Sequence, residues 1–307
     1  MAEEWLKKTP IPITFFKYLK SKKVIIFAIL IILFYCLFFY QKQDLLKIPA
    51  PQQKIVIVNS ILPLWQITNF LTSHKIENIL LIKPTDSEHN FQLKNQDMIN
   101  LQKAHLIFYL SKNLENLLPK LQQNPVLHNK IKEISQEVNF KLLPNNWHLW
   151  LNPHNLILIA DWQTKQLCYI DSNNCKFYQE NLQKFELQIT QEVDKINSLF
   201  LQHYSNKSIV LLHDAYNYFF DYFKISNTIV LSHHHQSNMQ IKQLQNLVNQ
   251  QKNISCIMAE NNHFSAQKLA NNYNLKYQNL NLFFTNQDQN PLSYGLKQMA
   301  QQIAICL

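Results

Sequence analysis

A single glycine, Gly295, occurs among the 307 residues. A chain so poor in glycine cannot build the glycine-rich loops that bring backbone amides against a phosphate, which excludes the dinucleotide fingerprint and the P-loop. Its tight turns must draw on Asn and Asp, which tolerate left-handed backbone better than other side chains. Charge narrows the function further. All 29 basic residues are Lys and none is Arg, which removes the side chain best suited to bidentate recognition of bases and phosphates. No nucleic-acid partner is expected despite the net charge of +9. Much of that excess belongs to residues 1–23, which carry six Lys against two Glu.

Residues 24–40 contain no charged side chain. Seventeen such residues lie near the lower limit for a spanning helix, at about 1.5 Å per residue against a hydrocarbon core of about 30 Å, and exceed the usual apolar run of a signal peptide. Lys crowds only the upstream side, so the positive-inside rule puts the remainder outside the cytoplasm. We read 24–40 as an uncleaved transmembrane signal anchor behind a basic cytoplasmic flank, 1–23. The chain is then a single-pass protein of the inner (cytoplasmic) membrane with its soluble part in the periplasm. Bulky Phe34-Tyr35 before Cys36 makes no lipobox, and cleavage after Ala50 is the alternative. Residues 41–53, with Gln, Lys and two Pro, read as a linker.

From residue 54 short apolar runs alternate with stretches of helical character. The runs are 55–58, 79–82 and 106–110, and a second series repeats the rhythm with strands expected at 209–212, 228–231, 254–258 and 276–280. This rhythm predicts strands alternating with helices around parallel sheets. About 255 residues are enough for two cores. The expected fold is α/β, with two lobes at 54–174 and 205–307, each a mainly parallel sheet with flanking helices. Between them a Gly-free and Pro-free run has apolar positions at Leu182, Phe185, Leu187, Ile189, Val193, Ile196 and Leu199. It predicts one long amphipathic helix joining the lobes at 175–204.

Three histidines stand in distinctive contexts: His89 in Asp-Ser-Glu-His-Asn-Phe, His148 in Trp-His-Leu-Trp-Leu-Asn-Pro, and His213 in Leu-Leu-His-Asp-Ala-Tyr. They are too far apart in sequence to form a local ligand motif, but three neutral imidazoles meeting at one point would hold zinc. In this order the segments resemble the metal-binding segments of the zinc-uptake solute-binding proteins that serve ABC importers, the periplasmic metal receptors of the cluster A-I type. The resemblance runs from about residue 52 to 307. It takes in Asp97, Leu101 and Ala104, Leu114-Glu115, Trp150-Leu151 and Pro153, Tyr178 with Asn181, and Cys256-Ile257-Met258-Ala259-Glu260.

The resemblance implies a receptor that captures extracytoplasmic zinc as its transported ligand and passes it to an ABC metal permease. It implies a monomer and no catalysis. Its metal ligands would be His89, His148 and His213, with Glu88 or water in the fourth position. His89 and His213 follow strands, and in open α/β sheets ligands gather beyond the carboxyl ends of strands; His148 would complete the site from between the lobes. Manganese-binding relatives use a carboxylate where this chain has Asn281, and Glu where it has His213. Both departures favour zinc, because hard oxygen ligands suit manganese. Asp214 either steadies the site by outer hydrogen bonding or caps the next helix. Asn217 stands where the resembling proteins often have Gly. The triplet His233-His234-His235 reads as a surface turn rather than a metal-loading loop, and His105 and His263 as structural. Cys168 with Cys175 and Cys256 with Cys306 are the plausible extracytoplasmic pairs. The second pair resembles a disulfide of some zinc-uptake receptors and would fasten the C-terminal helix to a strand. Two other functions compete: a diverged membrane-anchored zinc-binding scaffold or chaperone, and a zinc hydrolase, for which the chain has no His-Glu-x-x-His motif.

Overall fold

A computed structural model describes residues 22–45, 54–86, 91–203, 205–231, 237–250, 253–260, 263–285 and 291–307. It divides into two units, Met1–Gln53 and Lys54–Leu307. In the first, α1 (Lys22–Leu45) is a helix of 24 residues whose described side chains, 25–38, are all exposed. Among the described residues no helix is long and apolar enough to cross a membrane.

The second unit holds two four-stranded sheets of the same design. The first is formed by β1 (Val56–Asn59), β2 (Glu77–Leu80), β3 (Leu106–Tyr109) and β4 (Ile131–Glu133), in the order β2-β1-β3-β4. The second is formed by β5 (Ser208–Leu211), β6 (Thr228–Val230), β7 (Ile254–Ala259) and β8 (Lys276–Asn279), in the order β6-β5-β7-β8. Every pairing is parallel, so all carboxyl ends of a sheet lie on one edge. The helices α2 (Leu62–Thr72), α3 (Asn95–Lys103), α4 (Leu118–Leu121) and α5 (Ile134–Glu137) belong to the first sheet. The second has α8 (Asn217–Tyr222), α9 (Ser237–Gln250), α10 (Phe264–Asn272) and α11 (Pro291–Cys306). Between them run α6 (Pro153–Ile170) and α7 (Cys175–Gln202). Two α/β lobes with parallel sheets are thus what the sequence rhythm announced. The three-residue β4, Ile-Lys-Glu, carries no apolar run and went unread.

The central strands are buried on both faces, which is why they read as unbroken apolar runs. Strand β5 shows the division. Ile209 and Leu211 belong to the main core, which runs through α6, α7 and α11, whereas Val210 and Leu212 belong to a smaller core under α9 and α10. Successive side chains on a strand face opposite ways, so one short run supplies both.

Helix α7 buries Tyr178, Asn181, Phe185, Ile189, Glu192 and Ile196, a stripe at helical spacing. Leu187, counted above among the apolar positions, falls off that stripe and is 57% exposed. The Asn181 side chain donates to the Leu71 carbonyl at 2.9 Å and so ties α7 to α2. Cys168 and Cys175 are bonded where α6 turns into α7, and Cys256 and Cys306 join β7 to the end of α11.

The described non-glycine residues with left-handed φ are Ser73, His74, Asn145, Lys224, Asn274 and Phe284. Only two are Asn and none is Asp, so the turns draw on a wider set than expected. Asn217 has φ −57° and ψ −32°, ordinary right-handed helix, and needs nothing that Gly alone supplies. Gly295 is a matter of space. A Cβ on it would collide with Cδ1, Cγ and Cβ of Phe284, so α11 passes over that buried ring only because position 295 has no side chain.

Candidate metal centre

His213 follows β5 directly beyond Leu212, and Glu260 immediately follows β7. Strands β5 and β7 are neighbours with Leu211 opposite Met258, so the parallel register carries the two side chains side by side past the sheet edge. His213 Nδ1 lies 2.8 Å from Glu260 Oε1. An ionised carboxylate only accepts, so Nδ1 carries a proton and donates, while Nε2 faces Asp214 Oδ1 at 3.3 Å. Glu260 also bears on Tyr216. Burial first, then the Glu260 charge and a hydrogen bond to it, push that phenol well above its usual range.

His148 arrives from another direction and is fixed in the same way. Its Nδ1 and its backbone N–H both lie against Asn146 Oδ1, at 2.9 and 3.0 Å. The Asn146 amide group donates to the Asp214 carbonyl at 2.7 Å, which fixes the orientation of that side chain. Nδ1 of His148 therefore donates and Nε2 keeps the lone pair. Tyr218 holds the same loop, accepting from Leu143 N–H at 2.9 Å and donating to the Asn146 carbonyl at 3.0 Å. Trp150, 5.2 Å from the His148 ring, stacks on Phe283 and donates to the Leu282 carbonyl at 2.9 Å. The segment carrying His148 is thereby laced to the second lobe, although it precedes α7 in sequence.

The two imidazoles meet edge to face with ring centres 5.0 Å apart. Asp214 joins them: one donor atom from each of His148, His213 and Asp214 lies within 4.8 Å of the others. All three are buried, at 4%, 5% and 2% exposure. Two imidazoles and a carboxylate converging away from water make a donor set that fits a borderline divalent cation.

A family model described as the zinc-uptake complex component A, periplasmic, matches residues 57–303. The chain belongs to this family. Among its relatives is an uncharacterized protein, RP014, of Rickettsia prowazekii, 25% identical over 82% of this chain and 83% of its own length. A manganese ABC transporter substrate-binding lipoprotein, PsaA, of Streptococcus mitis is 29% identical over 54% of this chain and 58% of its own. A high-affinity zinc uptake system protein, ZnuA, of Haemophilus ducreyi is 26% identical over 53% and 62%. The matches to these two metal receptors thus span about three fifths of the receptors' length. The Cd-bound periplasmic metal binding protein of Candidatus Liberibacter asiaticus superposes with a TM-score of 0.68 at 19% identity, over 82% of this chain and 98% of that one, and shares the fold.

Of the residues singled out in the sequence, the structure brings together His148, His213 and Asp214. Glu88 and His89, and the triplet 233–235, lie outside the described residues. Asn281 turns onto its own loop, donating to Thr285 Oγ1 at 2.8 Å and accepting from Phe283 N–H at 3.2 Å. His105 Nδ1 accepts from Val56 N–H at the start of β1, and His263 caps α10. Glu260 was missed as a site residue, although it closes the segment Cys256-Ile257-Met258-Ala259-Glu260 quoted for the resemblance. An acidic residue directly after the apolar run Cys256-Ile257-Met258-Ala259 was the available signal.

Proposed function

We propose that this chain captures zinc outside the cytoplasm and delivers it, as a monomer, to an ABC-type metal permease in the inner membrane. The observation that carries this reading is the buried pair His148 and His213, each with Nδ1 held by a side-chain oxygen and the two rings 5.0 Å apart, in a member of the zinc-uptake family. His89 supplies a third imidazole and Glu88 or water completes the set. The lobes 54–174 and 205–307 contribute ligands from either side of the helix at 175–204. Zinc is the cargo because imidazole nitrogen suits it and because the carboxylate of manganese-type sites is replaced by Asn281. Manganese is the second reading. It is favoured by Asp214 and Glu260, two oxygen donors in contact with His213.

Residues 24–40 hold the receptor at the membrane as a signal anchor. Support comes from the charge-free run, the six Lys upstream of it and the exposed apolar side chains of α1 at 25–38. Such a helix, apolar all round, needs a lipid or protein environment.

Titration of the purified chain is expected to give one zinc per molecule. His148→Ala and His213→Ala should each weaken binding by about 100-fold or more, beyond the ~10–100-fold typical of losing an outer partner. Wild-type affinity in both variants would defeat the assignment. A competition titration of zinc against manganese separates the two cargoes, since zinc precedes manganese at nitrogen sites and only a manganese receptor would invert or level that order. The anchor is checked by the mass of the native protein and its resistance to alkaline extraction from membranes.

A further inference from the structure

Resting on the anchor reading, we infer that the amino-end face of the first sheet docks on the anionic phospholipid surface of the membrane that holds the chain, through Lys54, Lys75, Lys103, Lys130, Lys176 and the ring of Tyr169.

Parallel pairing places these residues together. Lys54 and Lys75 stand two residues before β1 and β2, and Lys103 and Lys130 lead into β3 and β4. Backbone bonds run across the same edge: Glu77 N–H donates to the Ile55 carbonyl, His105 N–H to the Val56 carbonyl and Ile107 N–H to the Lys130 carbonyl, each at 2.8 Å. The first turn of α7 joins the face, because the Lys75 ammonium lies 3.7 Å from the centre of the Phe177 ring, and Lys176 is the neighbouring residue. Tyr169 stands next to Cys168, whose bond to Cys175 brings the end of α6 to that same turn. It is 87% exposed.

Charge decides what such a face meets. Lys54, Lys75, Lys103 and Lys176 are exposed and Lys130 is half-buried. Among the described residues none of them is in an ion pair. The partners that two of them have are neutral, the Phe177 ring for Lys75 and the Gln102 carbonyl for Lys130, so their charge is not cancelled. The exposed carboxylates at the starts of these elements are Glu77 and Glu180, which leaves lysine in surplus. A phenol with an apolar body and a polar tip beside such lysines is the combination that suits a headgroup layer.

The tether supplies the rest. Residues 41–53 join the charge-free run to Lys54, a stretch that extends to at most about 45 Å. Lys54 itself belongs to the face, so this edge of the lobe is the one that the anchor keeps near the membrane at high effective concentration. Each lysine close to an anionic surface then favours the docked state about 5-fold. Docking uses none of His148, His213 and Asp214, so it is separable from cargo binding.

The test uses the full chain in vesicles of phosphatidylcholine alone or of equal parts phosphatidylcholine and phosphatidylglycerol. A membrane-impermeant amine-acylating reagent is added, and labelling of each lysine is read by mass spectrometry. On the phosphatidylglycerol vesicles Lys54, Lys75, Lys103, Lys130 and Lys176 should label about 5-fold more slowly than on phosphatidylcholine. Lys224, Lys268 and Lys297, exposed on the second lobe, should label alike on both. The protection should vanish in about 1 M salt, where screening acts within about 3 Å. Lys75→Glu, Lys103→Glu and Lys176→Glu together should abolish it at Lys54 and Lys130 while zinc affinity stays as in wild type. Equal labelling of the first set on both vesicles overturns the proposal and turns that face toward a protein partner; protection shared equally with the second lobe overturns it too. A chain that alkaline extraction strips from phosphatidylcholine vesicles defeats the anchor reading separately. Selective protection on phosphatidylglycerol then upholds the docking face by itself, and its absence overturns both.

Discussion

The two sheets have the same strand order and the same parallel pairing, yet their carboxyl ends are finished in opposite ways. At the first, Glu115 is buried to 1% exposure and closes onto its own lobe. It accepts from Ser60 Oγ beyond β1, and from the N–H groups of Leu110 and Ser111 beyond β3 at 3.0 and 2.9 Å. At the second, Glu260 and Asp214 flank the His213 ring, one carboxylate at each of its nitrogens. The first arrangement satisfies donors with an acceptor and latches two strand ends together. The second brings one carboxylate, Asp214, and two imidazoles to a common point, with Glu260 behind one of the rings. One topology thus supplies a latch or a site, according to whether the buried carboxylate meets backbone donors or a histidine ring that it orients.

The largest effect is expected at the latch. Glu115→Ala leaves three buried donors without their acceptor, at about 1–3 kcal/mol each, for a loss of about 5 kcal/mol of stability. Glu115→Gln, which keeps an acceptor oxygen, should lose less. Urea unfolding measures both. Zinc affinity of the molecules that remain folded should be unchanged, and a fall there would break the comparison by making the first sheet's ends part of the site.

A lobe whose strand ends carry the cargo must be braced elsewhere, and the disulfide Cys256–Cys306 joins β7, the strand leading to Glu260, to α11. It spans 50 positions, against 7 for Cys168–Cys175. On chain entropy alone the first crosslink contributes about 4 kcal/mol and the second about 2 kcal/mol. Replacing each pair by Ser should therefore cost stability in that order, read as a fall in unfolding midpoint. Equal losses would mean that native packing rather than loop closure sets the values.

The central strands β1, β3, β5 and β7 were legible because they are buried on both faces and so spell largely apolar runs, whereas β4, with a Lys at its centre, was not. The long helix was legible from the spacing of Phe185, Ile189 and Ile196, while Leu187 misled because apolar character alone does not say which face a residue takes. Two of the three histidines were found from their contexts and do meet. What sequence could not supply was adjacency: β5 and β7 are separated by β6 in the chain and neighbours in the sheet, so nothing local says that Glu260 touches His213. The same blindness made the site look nitrogen-rich, since Asp214 read equally well as a cap.

Gly295 offers a smaller test of how the second lobe is held. Its single substituent-free position lets α11 pass over Phe284, whose carbonyl accepts from the Gln66 side chain of α2 at 2.9 Å. Gly295→Ala forces that ring aside and should cost about 1–3 kcal/mol, the usual penalty of overpacking. Thermal unfolding reads it. If position 295 serves packing alone, zinc affinity stays as in wild type.

The smallest change in stability, and the sharpest test of the contrast between latch and site, belongs to Glu260. Unlike Glu115 it is not a hub for backbone donors, so Glu260→Gln should alter unfolding by less than about 1 kcal/mol, because the amide oxygen still accepts from His213 Nδ1 and keeps the ring in its ligating tautomer. What it removes is charge. The imidazole becomes a weaker donor, and zinc affinity should fall about 10-fold, or ~1.4 kcal/mol. Glu260→Ala removes the acceptor as well, frees the ring to turn, and should lose about 100-fold. The graded order wild type, Gln, Ala in affinity, with nearly constant stability, is the signature of a residue that orients and polarises a ligand. A large stability loss in Glu260→Gln with unchanged zinc affinity would make Glu260 a second latch, and the two sheets would then differ in sequence but not in purpose.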